Sequence, residues 1–514
     1  MGRTAPSERR PPPGGESTLA VAATTRRAWQ YRHVPTRFLT VEPGERLGAF
    51  LERARRAGAE RVMLLGPAPD PAWLLSDPGP WQPDDRGHYL DTDQLCARYV
   101  MRSTLPPRIV ARMELRRAVS WFGDGDYSAE VAMQAWATLE ELIREVRGWE
   151  TARLLGSPTV TGRDLWRRTI RPGASFPLLE VDQAALIRST SPQARIQLVE
   201  PQRGELAEFH YLDMRLAYGA LTRELPVGPA RHDVATPGRP LAVQPYAAAR
   251  YLVEFTAPAG WPWVGAFMVP GDEGRYTFPL AGVCWADCWE VENAVRHGWR
   301  VVVRERLSFD KGRPLDAWTG RLVSLRDKAL MRGRIQNRQV AELVGRALRF
   351  LILYTIGAFH AAGRDVTHAV QTPAEISAES WRVEKRGDMW VWIERQEPSE
   401  DARAAMHPHW SAAVWARCRT RLLCGPTAGR PAHASGAWHV DPAQVVALWL
   451  DAIYLGYDPV WADDGRPGRW RHKGVLSGPL PAPKTLPAVS ALRKRAETAQ
   501  GLSGAPTAVL ERQW

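Results

Sequence analysis

Two stretches decide how this chain reads: Phe209-His-Tyr-Leu-Asp-Met-Arg-Leu-Ala-Tyr-Gly219 and Val445-Val-Ala-Leu-Trp-Leu-Asp-Ala-Ile-Tyr-Leu455. Each is an apolar, strand-like run interrupted by an isolated aspartate, Asp213 in the first and Asp451 in the second. Hard divalent cations take oxygen ligands, and carboxylates at the ends of neighbouring strands supply them. A pair of such cations serves displacement at phosphorus, one acting on the attacking hydroxyl and one on the triphosphate. Read alone, each stretch is also a plain Asp at the end of a strand. Their joint occurrence carries the chemical reading.

Working outward, a helical stretch lies between them, Arg346-Ala-Leu-Arg-Phe-Leu-Ile-Leu-Tyr-Thr-Ile-Gly-Ala-Phe359, with Arg349 on it. The three stretches, in this order, resemble motifs A, B and C of family B DNA polymerases. In motif A the Asp is followed by a Ser-Leu-Tyr-Pro turn; here the turn reads Arg215-Leu-Ala-Tyr-Gly219, so the Asp-to-Tyr spacing holds while Ser and Pro are replaced. Motif C is an Asp-Thr-Asp-Ser hairpin. Aligning Trp449, Leu450, Asp451 and Ala452 with it loses the first Asp and keeps the metal-binding second one, and Ile453-Tyr454 then match the apolar residues that follow. The other register, shifted by two, puts Ile453 at the metal position and implies a dead site. In motif B, Arg349 falls at the Lys position and Gly357 at the Gly position, while Leu353 and Ile356 replace Asn and Tyr.

The resemblance implies a mixed α/β (α+β) right-hand fold, with palm, helical fingers and a small thumb behind a degenerate exonuclease-like α/β domain. It implies template-directed transfer of dNTPs to a primer 3′ end with two Mg2+ (or Mn2+) ions. Asp213 and Asp451 would bind the metals, and Tyr218 would sit under the incoming sugar. Arg349, helped by Arg346 and Arg338, would grip the triphosphate, since an arginine fork suits phosphate oxygens. Gly468-Arg-Trp-Arg-His-Lys473 resembles the basic strand that holds the primer, which gives Lys473 and Arg471 to DNA. Arg188 lies where the family has a template-holding Tyr-x-Gly-Gly linker, although the Tyr and both glycines are missing. The viral and mobile-element branch, which includes protein-primed enzymes, is the nearest look-alike, so a priming protein or other replication proteins join primer-template DNA as expected partners. Proofreading is not expected: residues 28–182 hold no Asp-x-Glu strand, Val41-Glu42 lacks the Asp partner, and Asp91 and Asp93 read as turn residues.

Composition agrees with a nucleic-acid partner. The net charge is +12 in 514 residues, and only six of the 68 basic residues are lysines. Released counterions drive such a surface onto polyanions. Hydrophobic residues make up 45%, enough for several cores. No run approaches the roughly 18 apolar residues of a membrane span, and the Pro/Arg-rich opening is unlike a secretory signal. Five cysteines show no zinc spacing and read as packing residues of a reducing cytoplasm, in a bacterial or phage-infected cell. The expected organisation is a basic tail at 1–27, an N-terminal α/β domain at 28–182, palm at 183–314, fingers at 315–363, palm again at 364–475, and a reduced thumb and tail at 476–514, in a chain that is a monomer on its own. Helices are expected over 46–57, from 128, from 163 to 169, over 290–297, throughout 315–363 and over 409–423. Strands are expected at 251–255, 264–269, 276–280, 301–305 and 389–394. Two other classes stay open: a polymerase fold kept as a non-catalytic DNA-binding or assembly subunit, and a basic accessory protein with no palm.

Overall fold

The computed structural model describes residues 18–22, 36–65, 71–74, 76–84, 96–104, 108–199, 204–271, 275–333, 337–370, 372–378, 380, 382–386, 389–398, 400–425, 434–461, 463 and 465–499. Asp91 and Asp93, and most of the expected tail at 1–27, lie outside them. The chain forms two compact units. The first is Met1–Phe122, Tyr127–Trp136 and Asp365–Gln396; the second is Gly123–Asp126, Ala137–Arg364 and Glu397–Trp514. Residues 365–396 thus cluster with the N-terminal unit, whereas the sequence boundaries grouped them with 364–475.

In the first unit, six strands line up in the order Thr36–Thr40, Thr18–Ala22, Arg61–Leu64, Ile109–Arg117, Cys96–Arg102, Trp81–Pro83. Only Arg61–Leu64 and Ile109–Arg117 run parallel. The helix Leu47–Arg56 repeats apolar residues at 3.6-residue spacing and buries Leu47, Phe50, Leu51 and Ala54 in a core with Val62, Trp81 and Leu115. A separate three-stranded sheet is built from Arg364–Val370, Met389–Gln396 and Arg382–Arg386.

The second unit carries both decisive stretches. Its five-stranded antiparallel sheet has the order Trp470–Pro481, Glu205–Met214, Ala452–Leu455, Val445–Trp449, Ile196–Leu198. The strand Glu205–Met214 sits inside it, which suits its buried, largely apolar C-terminal half. Phe209 and Tyr211, two residues apart and so on one face, stack on Tyr454. The helix Leu486–Ala499 closes this core with Val489, Leu492 and Ala496. A second, four-stranded antiparallel sheet runs Ala281–Asp287, Ala248–Thr256, Arg300–Gly312, Leu225–Val234. The helix Pro408–Cys424 is buried along almost its whole length and ends at Gly425, where φ is +66°.

Three local expectations change. The helical stretch over 315–363 is two helices, Asp316–Gly333 and Arg338–His360; Asn337 starts the second by accepting from the Val340 N–H at 3.1 Å. The helix expected from 163 to 169 is instead Pro158–Arg167, started by the Ser157 side chain accepting from Val160 N–H and by Pro158 in the first turn. Residues 264–268 are not a strand; Val264 O instead accepts indole N–H groups from Trp261 and Trp438.

The helices Pro158–Arg167 and Arg338–His360 touch at Gly162, where a Cβ would lie 1.9 Å from Thr355 Oγ1 and 2.9 Å from Leu351 O. Gly162→Ala is therefore expected to destabilise the chain by about 1–3 kcal/mol, read as a lower urea midpoint; an unchanged midpoint would contradict this close approach.

Candidate active site

Strand pairing brings the two aspartates together. Asp213, near the C-terminal end of Glu205–Met214, faces Ala452 on one neighbouring strand and Arg471 on the other. Asp451 lies in the two-residue turn Leu450-Asp451 that joins Val445–Trp449 to Ala452–Leu455, where Trp449 pairs with Ala452. Leu450 sits at φ +62°, a left-handed conformation that costs energy for a branched residue. The Met214 N–H to Asp451 O bond, 2.9 Å, holds the turn against the Asp213 strand, and the Leu450 N–H to Arg195 O bond, 3.0 Å, ties it to the residue before the strand Ile196–Leu198.

The charges around the pair are uneven. Asp213 is 2% exposed. Arg471 forks onto it, Nε to Oδ1 at 2.6 Å and Nη2 to Oδ2 at 3.0 Å, and Lys473 Nζ lies 3.4 Å from Oδ2. Lys473 also reaches Glu497 at 3.6 Å and the Tyr211 hydroxyl at 3.5 Å. Asp451 has Arg349 at 3.9 Å. Burial pushes both carboxyls up. At Asp213 the Lys473 and Arg471 charges outweigh burial and hold the group below the usual carboxylate range. At Asp451 burial and the Asp213 charge outweigh Arg349, and the group is raised. Tyr218, in the short helix Ala217–Ala220, is buried, and burial, then Cys418 and Asp451, push its hydroxyl well above its ordinary value.

Asp213, Asp451, Arg349, Arg471, Lys473 and Tyr218 thus share one region. The other expected residues are spent elsewhere. Arg188 donates to His360 O at 3.0 Å. Arg346 donates to Asp124 O at 3.1 Å. Arg338 pairs with Glu342 at 2.9 Å, eleven residues and so roughly 16 Å along the helix from Arg349. Two members were missed. Tyr211 shares the Asp213 face and was readable from strand alternation; Glu497, in the weakly patterned C-terminal helix, had no local signal.

Both carboxylates are oxygen donors of the kind Mg2+ and Mn2+ prefer. The fit lies at Asp451, a half-buried carboxylate whose charge the surroundings disfavour; Asp213 is free to share a cation only when Arg471 releases it. Among the described residues, two other groups could hold a metal ion, His210 with Asp458 and His472, and His297 with Cys424 and His439. Neither includes the aspartates. The second includes Cys424, which the sequence reads as a packing residue; its members come from three distant segments and leave no spacing to read. Among the described residues, no helix is long and apolar enough to cross a membrane.

No protein-family model matches the chain, and no curated protein does. Among solved structures it is similar to Phi29 DNA polymerase in an orthorhombic crystal form, at 9% identity and a TM-score of 0.51, over 74% of this chain and 68% of that one. Phi29 DNA polymerase complexed with primer-template DNA and incoming nucleotide matches at 11% identity and a TM-score of 0.48, over 74% and 69%. The first of these likenesses shows a mixed α/β, polymerase-like fold and nothing finer.

Proposed function

We propose that this chain is a template-directed DNA polymerase of family B, near the viral and mobile-element branch, that adds dNTPs to a primer 3′ end without proofreading. One observation carries the reading: the two aspartates with no second acidic partner in their motifs are the two that adjacent strands bring side by side. Asp213 and Asp451 would hold the Mg2+ or Mn2+ pair. When bound, the ions supply charge stabilisation for in-line displacement at the α-phosphorus. Arg349, beside Asp451, offers a planar fork to triphosphate oxygens. Lys473, buried between Asp213 and Glu497, would reach a primer phosphate only by giving up one of these partners. Tyr218 gives the incoming sugar a rigid floor that excludes ribonucleotides. Arg338, paired at the far end of its helix, is left out of this set.

A second reading rests on the Arg471 fork. Both Asp213 oxygens accept from protein cations, and a polymerase fold kept as a DNA-binding or assembly subunit would need no more than that. Primer extension separates the two. The full chain, with a primed DNA template, labelled dNTPs and Mg2+ or Mn2+, is expected to lengthen the primer. No incorporation under either ion, with DNA still bound, would favour the non-catalytic subunit.

A further inference from the structure

We propose that His297, Cys424 and His439 form a zinc site that fastens the segment leading into the Asp451 hairpin. Cys424 ends the buried helix Pro408–Cys424, His297 caps the helix Cys288–Arg296, and His439 closes the short turn Ala437–His439. Their ligand atoms all lie within 4.8 Å of one another, and Cys424 Sγ is 3.8 Å from His297 Nε2. A zinc ion with tetrahedral bonds of ~2.3 Å to sulfur and ~2.0 Å to nitrogen sets those atoms roughly 3.5 Å apart. The Cys424–His297 pair needs only a few tenths of an ångström of closure, and the widest pair, within 4.8 Å, needs up to about 1.3 Å.

The protonation of His297 is forced by its neighbour. Its Nδ1 lies 2.8 Å from Asn293 O. A carbonyl oxygen can only accept, so Nδ1 carries the proton and Nε2 turns a lone pair toward Cys424. That is the outer-shell arrangement that orients histidine ligands in metal sites. The backbone on either side of His439 is anchored through its neighbours. Trp438 donates its indole N–H to Val264 O at 3.0 Å, and Trp263 donates to Val440 O at 3.0 Å. Gly436, at φ +92°, lets this segment press onto the helix end, since a Cβ there would fall 2.6 Å from Leu423 O. His439 is exposed, which leaves a fourth coordination position to water.

One thiolate and two imidazoles select a borderline-soft ion such as zinc over Mg2+ or Ca2+. As the zinc–sulfur bond forms, Cys424 gives its thiol proton to solvent. Six residues after His439 the strand Val445–Trp449 begins, and it carries the chain to Asp451. The ion would thus tie that strand's entry to two helices. The other group is a weaker candidate: His210 Nδ1 and His472 Nε2 already bond each other at 2.9 Å, and His210 Nε2 lies 2.7 Å from Glu208.

The test uses the full chain, stripped with a chelator and then titrated with zinc alone. One zinc per chain is expected by elemental analysis, with a thiolate-to-metal charge-transfer band when cobalt replaces it. Cys424→Ser should abolish the band. His439→Ala, at an exposed position the fold tolerates, should weaken zinc binding by at least about tenfold. His472→Ala should leave zinc content unchanged. Failure of the folded wild type to retain zinc would overturn the proposal; so would zinc that is lost with His472→Ala, or that survives both Cys424→Ser and His439→Ala.

Discussion

Asp213→Asn is expected to lower stability by about 3 kcal/mol and to abolish nucleotide incorporation, whereas Asp451→Asn abolishes incorporation and leaves the fold as stable or more so. Removing the Asp213 charge strands Arg471 and Lys473 beside a neutral amide. Breaking a buried ion pair from one side costs about 3–5 kcal/mol, and the low end applies because Arg471 is a quarter exposed and Lys473 keeps Glu497. Asp451 is the reverse case, a charge the fold already disfavours, so a neutral isostere relieves it. The pH dependence follows the same division. Asp213, with its folded pKa lowered, adds stability above its unfolded pKa, and this is lost as pH falls through the folded value. Asp451, with its folded pKa raised, contributes below its unfolded pKa, and this is lost as pH rises through the folded value. Loss of either ligand should exceed the roughly 10–100-fold that outer-shell changes cost a metal site. Urea unfolding at neutral pH beside primer extension reads both effects, and equal stability losses in the two variants would refute the charge assignment.

Glu290→Gln is expected to destabilise the chain by about 3–5 kcal/mol, more than Arg419→Met does. Glu290 Oε1 accepts from Arg419 Nε at 2.8 Å, with both side chains buried. The same carboxylate also acts on two other buried guanidinium groups. Burial pushes Arg195 down to about 9; Glu290 counters this and Arg419 adds to it. Burial lowers Arg250 too, with Asp287 and Glu290 opposing and Arg419 assisting. Glu290 therefore acts on three cations that repel each other, with Asp287 assisting at Arg250 and Arg419. Losing Arg419 removes some of that repulsion; losing Glu290 exposes all of it. Glu290 Oε2 also accepts the Asp287 N–H at 3.1 Å in the capping box of its helix. If Arg419→Met proves the costlier change in urea unfolding, this account of the network is wrong.

That network qualifies what the positive charge meant. The arginine excess reads as a phosphate-binding surface, yet Arg116, Arg195, Arg250, Arg417, Arg419 and Arg493 are buried. Arg417 shows the alternative use, with its guanidinium donating to the carbonyls of Leu221, Arg223 and Glu224. A residue count cannot tell an internal strut from a surface cation, because both need the same donor fork. The carboxylate pair was legible for the opposite reason. An Asp inside an apolar run leaves few local structures open, and the turn at Leu450-Asp451 was legible only through the resemblance to the motif C hairpin, since 445–455 alone reads as one strand-like run. The helix expected from 163 starts five residues earlier because Pro158, which cannot continue a helix, is well suited to begin one behind Ser157. The His297, Cys424 and His439 group was out of reach, since tertiary packing alone assembles it.

The composition of the two units bears on how the polypeptide is made. The first unit draws on Asp365–Gln396, and the strand Glu205–Met214 finds both of its partners beyond residue 451. At synthesis rates of about 5–20 residues per second, that strand emerges about 13–53 s before its outer partner, Trp470–Pro481, is complete. Until Ala452–Leu455 has been made, its apolar half has no neighbouring strand to pair with. Expression as a fragment ending near residue 364 would leave both units short of strands.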